Sequence, residues 1–122
     1  MARHNEKGRW GEDIAVEYLT SMGYAIVERN WRVGDYEVDI VAQKDGIMSF
    51  VEVKTRTNIE LDPFEAVDSK KKRRLAVSAN AYAEMYDVKH EIQFDIIGIA
   101  GTEGNYRLEY IPDAFEPPMK AF

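Results

Sequence analysis

The stretch Tyr36 to Lys54, YEVDIVAQKDGIMSFVEVK, decides the fold of this chain. Two runs of alternating polarity flank the pair Asp45-Gly46. Such a pair is typical of a two-residue β-hairpin turn, because Asp and Gly both accept the positive φ that the turn requires. We therefore predict a hairpin in which Lys44 faces Ile47.

The predicted register places four charged side chains on one face of the hairpin. Asp39 lies opposite Glu52 and Glu37 opposite Lys54, and the period-two alternation of a strand points all four the same way. Directly opposed residues hold their Cβ atoms about 4.5–5.5 Å apart, so the Asp39 and Glu52 carboxylates repel each other. A divalent cation, Mg²⁺ or Mn²⁺, is the natural candidate to offset that repulsion, because hard cations prefer oxygen ligands.

The composition indicates one domain over residues 1–122. The chain is 45% hydrophobic and 31% charged, which is ordinary for a soluble globular protein. It has no apolar run long enough for a bilayer and no signal peptide at its start, so we expect no membrane partner. The absence of Cys excludes disulfides and Cys-ligated zinc and fits a cytoplasmic location. The net charge of −6 counts against a general nucleic-acid coat protein, although it allows a local basic patch.

The order of the segments predicts an α/β domain, α-β-β-β-α-β with one extra C-terminal strand, in which helices flank a mixed central sheet. The predicted elements are a helix from Gly8 to Met22 ended by Gly23, a strand from Tyr24 to Trp31, hairpin arms from Tyr36 to Gln43 and Ile47 to Thr55, a helix from Ser69 to Tyr86, and strands from Ile92 to Ile99 and Tyr106 to Ile111. Asp62 and Pro63 are typical of a helix start. Residues 113–122 are expected to form a poorly ordered tail.

The hairpin carries the candidate catalytic residues Asp39, Glu52 and Lys54. In metal-assisted phosphodiester hydrolysis, two carboxylates hold the metal, which polarises a phosphoryl oxygen and lowers the pKa of a bound water. A nearby Lys orients that water and stabilises the developing charge. The backbone carbonyl of Val53 is a further candidate ligand. The alternative is a solvated strand face on which Glu37 and Lys54 form a simple ion pair.

Glu12, near the start of the first predicted helix, leaves two interpretations open. Its carboxylate could reach over the sheet as another metal ligand. It could equally be an acid that stabilises the first turn of its helix by interacting with the helix dipole.

The second predicted helix begins with five consecutive positive charges, and three further Arg residues lie near strand ends. Basic residues in a first helical turn oppose the helix dipole, which suggests another use, and a phosphate backbone is attracted to such a patch. A solvated helix face is the alternative. The candidate nucleic-acid-binding residues are Arg29, Arg32, Arg56, Lys70, Lys71, Lys72, Arg73 and Arg74.

Three aromatic residues and one acid allow a structural or a functional role. Trp31, Tyr24 and Phe50 could stack on bases, although core packing is the expected fate of each. Asp95 lies in an apolar stretch, where an acid is costly unless it is bonded. It either accepts hydrogen bonds from backbone amides or braces the basic helix.

Several short motifs, in order along nearly the whole chain, resemble the bacterial YraN-like family. They are Gly11-Glu12, Gly23-Tyr24, Arg29-Asn30-x-Arg32, Glu37-Val38-Asp39-Ile40-Val41-Ala42, Phe50-Val51-Glu52-Val53-Lys54-Thr55-Arg56, Glu65-Ala66-Val67 and Phe94-Asp95-Ile96-Ile97. That family resembles the PD-(D/E)XK nucleases, with archaeal Holliday junction resolvases as functional relatives.

The resemblance implies a restriction-endonuclease-like core and a role for each acid. Asp39 corresponds to the first acid of the superfamily motif, Glu52 to the second and Lys54 to its Lys, while Val38 stands where the motif has Pro. Glu12 matches the acid that the resolvases carry on their first helix. If junctions are the substrate, two symmetric cuts need two sites, so a homodimer is expected.

Three functions follow as hypotheses. The first is a Mg²⁺-dependent endonuclease acting on DNA, on branched or damaged structures. The second is a non-catalytic nucleic-acid-binding accessory domain in recombination or repair. The third is an interaction domain whose charges only solvate its surface, which predicts no metal binding.

Overall fold

The computed structural model describes residues 6–57 and 69–116 and forms two helices and five strands in that part of the chain. The predicted order of elements is confirmed. The elements are α1 (Glu6–Ser21), β1 (Ala25–Val33), β2 (Tyr36–Lys44), β3 (Ile47–Arg56), α2 (Ser69–Met85), β4 (Glu91–Thr102) and β5 (Asn105–Ile111). Asp62 and Pro63, predicted to begin a helix, lie outside the described residues.

The five strands form one mixed sheet in the order β1-β2-β3-β4-β5. The β3–β4 pair is parallel and the other three pairs are antiparallel. Parallel neighbours require a crossover connection, and α2 lies in the connection between β3 and β4. The α/β class with its extra C-terminal strand is therefore confirmed, and β4 is an interior strand with mostly buried residues.

Local turn chemistry fixes the ends of α1 and of the hairpin. Asp45 and Gly46 both have positive φ, 55° and 81°, as a type I′ hairpin turn requires. Gly23, with φ 97°, follows α1. Its amide donates to the Thr20 carbonyl at 3.0 Å, and the Tyr24 amide donates to the Leu19 carbonyl at 3.0 Å. These two bonds form a Schellman motif, so Gly23 ends the helix as the sequence predicts.

Each helix buries an apolar stripe against one face of the sheet. On the α1 side, the packed core contains Leu19, Ile40 and Val51, all fully buried. On the α2 side, Phe50 and Leu75 belong to the corresponding core. Burying each such side chain contributes about 1.5–3 kcal/mol, so the two layers hold the sheet between the helices.

The strict alternation of side chains breaks at Asn30 in β1. Arg29 pairs with acids of α1, whereas Trp31, two residues later, packs in the core under α2. Their partners on β2 divide in the same way, Ile40 on the α1 side and Val38 on the α2 side. Asn30 between them has φ 54°, a left-handed conformation that Asn tolerates better than most residues. The positive φ therefore coincides with the reversal of the strand's faces.

Ala114 and Phe115, at the start of the predicted tail, pack against the sheet. The Ala114 amide donates to the Phe94 carbonyl at 2.7 Å, and the ring of Phe115 stacks on Phe94 with centroids 5.2 Å apart. Lys72 of α2 places its ammonium 5.4 Å from the Phe115 ring centroid. The Phe115 ring, four residues beyond β5, therefore contacts both β4 and α2, whereas 117–122 lie outside the described residues.

Within residues 6–57 and 69–116, neither helix has the length and apolar character needed to cross a membrane.

Candidate active site at the open end of the hairpin

The β2–β3 hairpin follows the predicted register and then opens. Pairing runs from Lys44 opposite Ile47 to Ile40 opposite Val51 and ends there. The predicted direct opposition of the two acids is therefore wrong, because the strands are no longer paired at Asp39. Instead, the Asp39 carboxylate accepts a hydrogen bond from the Val53 amide at 2.8 Å. A side-chain oxygen thus accepts the Val53 amide just beyond the last paired residues of the two strands.

A cleft of about 410 Å³ occupies the space at this opening. The four charged residues of the predicted hairpin face all contribute to its wall, so their predicted convergence is observed. Residues of α1 and of α2 complete the wall. The lining residues are Glu12, Asp35, Glu37, Asp39, Glu52, Val53, Lys54, Thr55, Lys71, Arg74 and Leu75.

Asp39 is held among other acids. Burial raises its pKa well above the usual value, and the negative charge of Glu52 raises it further. The hydrogen bond from the Val53 amide opposes this shift, whereas Glu12 and Glu37 add to it. The ionised form of Asp39 is thus disfavoured in the folded protein. A cation bound beside it would reverse that preference.

Glu52 and Lys54 occupy alternate positions of β3, on the same side of the strand. Burial raises the pKa of Glu52, although the ammonium groups of Lys71 and Lys54 partly offset the shift. Lys71 Nζ lies 3.7 Å from Glu52 Oε2. Burial and the neighbouring Lys71 lower the pKa of Lys54 to about 8. The cleft therefore brings two acids and two lysines into one electrostatic cluster.

Glu12 enters the cleft because α1 lies unusually close to β3. A Cβ on Gly11 would overlap the Thr55 hydroxyl, so glycine permits this approach without displacing Thr55. Glu12 is 6% exposed, and its Oε1 lies 3.8 Å from Arg29 Nη2. A helix acid placed for the dipole alone faces solvent, whereas this one is buried in the wall of the cleft. This burial in the cleft wall agrees with the metal-ligand interpretation of Glu12, which stays a prediction.

The donor set fits a hard divalent cation. Asp39, Glu52 and Glu12 offer carboxylate oxygens to one polar cleft, where burial and then their mutual repulsion raise the pKa of Asp39. In the described part of the chain, however, no group of three or more His, Cys, Asp or Glu side chains is assembled as a metal cage. The Asp39–Glu52 pair is thus the centre of the site, and Glu12 borders it.

The basic run of α2 divides between the cleft and other surfaces. Lys71 and Arg74 line the cleft. Lys72 faces the Phe115 ring instead, and Lys70 and Arg73 are exposed to solvent. A helix distributes five adjacent residues around its axis, so only part of a run can reach one ligand. Two of the five predicted phosphate contacts therefore lie at the site.

The three strand arginines lie outside the wall of the cleft. Arg29 donates to Asp13 Oδ1 at 2.7 Å and so ties β1 to α1. Arg32 Nη2 lies 3.7 Å from Glu37 Oε1, with its side chain 62% exposed. Arg56 donates to the Thr55 carbonyl at 3.0 Å and is half-buried. Arg29 acts as a brace for α1, while Arg32 remains accessible to a long ligand.

The three aromatic candidates for base stacking pack in or against the core, as expected. Phe50 is fully buried and Trp31 is 9% exposed. The Tyr24 hydroxyl hydrogen-bonds the Tyr110 hydroxyl at 2.8 Å. None of these three rings lines the cleft.

Asp95 belongs to a separate buried network. Its carboxylate accepts hydrogen bonds from the Tyr110 hydroxyl at 2.7 Å, the Asp113 amide at 2.9 Å and the Gln93 amide nitrogen at 3.1 Å. The alternative in which Asp95 accepts hydrogen bonds from backbone amides is confirmed for the Asp113 amide, while the other two donors are side chains. Burial, followed by the Tyr24 and Asp95 hydrogen bonds, raises the pKa of Tyr110 above its usual range.

Sequence reasoning missed Tyr36 and Asp35, which join the cleft to α2. The Arg74 guanidinium lies 4.7 Å from the Tyr36 ring centroid and donates to the Asp35 carbonyl at 2.9 Å. The Gly34-Asp35 dipeptide between two strands was a signal for a tight turn. Nothing in the local pattern, however, shows that α2 packs beside that turn.

A family model and the sequences of individual relatives point to the same protein family. The family described as "Uncharacterised protein family UPF0102" matches residues 11–99. A UPF0102 protein of Bacteroides thetaiotaomicron is 47% identical over 120 residues, covering 98% of this chain and 99% of the relative. A UPF0102 protein of Flavobacterium psychrophilum is 41% identical over 116 residues, covering 94% and 98%.

Among solved structures, Pyrococcus furiosus SfsA in complex with Ca²⁺ matches at a TM-score of 0.31 and 13% identity. The alignment covers 88% of this chain and 62% of SfsA. A likeness this low carries no argument about fold or function.

Proposed function

The chain belongs to the UPF0102 family, as the YraN-like resemblance predicts, and we propose that it is a metal-dependent endonuclease that hydrolyses phosphodiester bonds in DNA. One observation carries the proposal. Two carboxylates of diverging strands, Asp39 and Glu52, share a polar cleft with a lysine, and burial and mutual repulsion raise the pKa of Asp39. Perturbed acids that converge in a cleft are typical of a reaction site.

Asp39 and Glu52 are the proposed ligands of Mg²⁺ or Mn²⁺, with Glu12 bordering the same space. The cation would supply Lewis-acid polarisation of a phosphoryl oxygen and a lower pKa for a bound water. The Val53 amide fixes the Asp39 carboxylate by donating to Oδ2 at 2.8 Å. Asp39 therefore presents its other oxygen in a fixed direction, as a ligand must.

Lys54 is the proposed positioning group for the attacking water. It lies two residues from Glu52 on β3, so that its ammonium and the Glu52 carboxylate face the same cleft. With a pKa of about 8, Lys54 is mainly protonated at neutral pH. A charged donor beside the reacting phosphorus stabilises the negative charge that develops in the transition state.

Lys71 and Arg74 are the proposed contacts to the scissile phosphate and its neighbour. Both extend from the first turns of α2 into the cleft. Cationic side chains and the positive end of a helix dipole attract phosphate together. Arg32, Lys70 and Arg73 are exposed and extend this basic surface. Because the net charge is −6, DNA is repelled elsewhere, which confines binding to this patch.

The substrate structure and the assembly stay predictions. Branched or damaged DNA and a homodimer follow from the resemblance to junction resolvases. Two sites related by a two-fold axis would allow paired cuts.

A non-catalytic nucleic-acid-binding domain is the second candidate. It is favoured by the observation that no group of three metal-ligating side chains is assembled within residues 6–57 and 69–116. On this alternative, Lys71 neutralises Glu52 permanently and the basic surface only holds DNA.

A cleavage screen separates the two candidates. Labelled junction, flap, single-stranded and duplex DNA are incubated with Mn²⁺ and the wild type, Asp39→Asn or Asp87→Asn. Asp87 is a matched control because it is exposed, and its φ of 53° suits Asn equally well. We expect cleavage of at least one substrate by the wild type and Asp87→Asn, and none by Asp39→Asn. Binding without cleavage by the wild type would replace the nuclease with the binding domain.

A further inference from the structure

A second depression lies beside the cleft, where the β1–β2 turn meets α2. Its volume is about 400 Å³, which lies within the range of small-ligand sites. We call it the side groove, and its apolar wall consists of Val33, Tyr36, Val77 and Ala81. The side groove and the cleft share Asp35 and Arg74 as lining residues. One ligand can therefore occupy both.

The walls of the side groove differ chemically from those of the cleft. Val33 and Ala81 are apolar residues that pack on the core under α2, and Val77 is half-buried. The cleft, in contrast, is lined mainly by charged side chains. A ligand that spans both must carry a charged part and a flat or apolar part next to each other.

Arg74 and Tyr36 stand at the junction of the two spaces as an ordered pair. The guanidinium lies 4.7 Å from the ring centroid and is held by the Asp35 carbonyl at 2.9 Å. Arg74 thus offers charge to the cleft, while the half-buried Tyr36 ring offers a face to the side groove. Rings and guanidinium planes are the surfaces on which unpaired bases stack.

We propose that the side groove binds an unpaired nucleobase adjacent to the phosphate in the cleft. The substrate class is therefore single-stranded or locally unpaired nucleic acid. This inference rests on the proposed nuclease function, because the phosphate position is taken from it. A base in an intact duplex has both faces covered by its neighbours, so it cannot stack on Tyr36.

An apolar protein segment fits the side groove less well. It would bring a hydrophobic surface against the Arg74 guanidinium and offer that cation no anion. Desolvating an unpaired charge in this way is costly. A nucleotide places its phosphate on the arginine and its base in the groove, which satisfies both.

The test measures DNA binding without chemistry. Fluorescence anisotropy compares a labelled single strand with the same sequence as a duplex, in EDTA, for the wild type, Tyr36→Ala and Tyr36→Phe. We expect Tyr36→Ala to weaken single-strand binding about 5- to 150-fold, the usual effect of losing one base stack. Duplex binding should change less than about twofold, and Tyr36→Phe should bind as the wild type does, because its ring is retained.

A second test leaves the Arg74–Tyr36 pair unchanged and compares a variant that fills the side groove with a matched control. Ala81→Leu adds bulk inside the groove, while Asn80→Leu adds the same side chain at an exposed neighbouring position of α2. Both Leu residues suit a helix, so thermal melting verifies that each variant folds. We expect only Ala81→Leu to weaken single-strand binding.

The possible results separate this inference from the function on which it rests. Equal losses on single strand and duplex, or no loss in Tyr36→Ala and Ala81→Leu, would overturn the side groove as a base site even if Asp39-dependent cleavage is found. Dissociation of a wild-type dimer by Ala81→Leu would also overturn it, because the groove would be a subunit interface. Selective single-strand losses without any metal-dependent cleavage would keep the base site and remove the nuclease.

Discussion

Asp39 in β2 and Asp95 in β4 are two acids inside one sheet, and their surroundings differ in kind. Asp95 is fully buried and accepts hydrogen bonds from three donors, a tyrosine hydroxyl, a side-chain amide and a backbone amide. Asp39 has the Val53 amide as a donor and stands among Glu52, Glu12 and Glu37.

The comparison shows that burial of an acid does not by itself indicate function. The network around Asp95 is complete without a ligand, so it serves the fold. Burial raises the pKa of Asp39, and the neighbouring acids Glu52, Glu12 and Glu37 raise it further. The charged side chains that most affect the pKa of Asp39 are acids, and a cation bound beside it would reverse that shift. Asp95 is therefore expected to serve stability and Asp39 the proposed chemistry, and this division can be tested.

The largest expected effect is a loss of DNA cleavage rate when a residue beside Asp39 in the cleft is changed. Lys54→Met removes the charged donor beside the proposed water and should lower kcat about 10²- to 10³-fold. The melting temperature should still rise on addition of Mn²⁺, because the carboxylates remain. Lys89→Met is the control, since that lysine is 81% exposed and distant in sequence from the hairpin. If Lys54→Met cleaves DNA as fast as the wild type, Lys54 does not take part in the reaction.

For the second aspartate, we expect Asp95→Ala to lower the stability of the fold. Leaving three donors without their acceptor should destabilise the fold by about 3 kcal/mol and lower the melting temperature by roughly 10–20 °C. Asp113→Asn is a suitable control, because Asp113 contributes its backbone amide to the network and Asn accepts its φ of 53°. Thermal unfolding followed by circular dichroism measures both. An Asp95→Ala variant as stable as the wild type would erase the distinction.

The pH dependence of stability should distinguish the two acids more finely. Because the folded-state pKa of Asp39 is raised, the folded protein binds its proton more tightly than the unfolded chain does. The metal-free protein therefore loses this contribution as pH rises from about 4, the unfolded pKa, through the raised pKa. Asp39→Asn removes the ionisable group and can keep the acceptor for the Val53 amide.

We expect Asp39→Asn to be more stable than the wild type at pH 8 in EDTA, with the gain disappearing near pH 4. Urea unfolding across this range measures it. A variant that loses stability equally at all pH values would mean that Asp39, like Asp95, is a structural acid.

The smallest effect concerns Lys71, which lies 3.7 Å from Glu52 and competes with a cation for it. Lys71→Ala should tighten Mn²⁺ binding by less than about fivefold, since an ion pair of this exposure contributes little. It should also reduce the salt dependence of DNA binding by about one phosphate contact. Lys70→Ala, at the exposed preceding position, should leave metal affinity unchanged. Isothermal titration calorimetry measures the Mn²⁺ affinity of both variants. Weaker Mn²⁺ binding by Lys71→Ala than by the wild type would show that Lys71 does not compete with the cation.

Local chemistry explains how much of this molecule could be predicted from its sequence. Asp45-Gly46 specifies the hairpin turn and Gly23 the end of α1, because each needs a positive φ that few residues accept. The register followed from the turn and placed Asp39 and Glu52 together. The predicted ends of the helices and strands lie within a few residues of the observed ends for the same reason.

Contacts between distant segments could not be predicted in this way. The opening of the hairpin depends on the Asp39 carboxylate taking the Val53 amide, which no periodic pattern reveals. Glu12 stayed ambiguous because its position depends on Gly11 packing against Thr55. Likewise, Arg74 meets Tyr36 only once α2 has docked on the sheet.

The central claim is that Asp39 and Glu52 hold a divalent cation, and a titration with Mn²⁺ followed by thermal unfolding tests it most directly. A ligand that binds only the folded state raises stability with its concentration. We predict that Mn²⁺ raises the melting temperature of the wild type and of Asp87→Asn. It should leave the melting temperatures of Asp39→Asn and Glu52→Gln unchanged. An unresponsive wild type, or an equal rise in Asp39→Asn, would contradict the account.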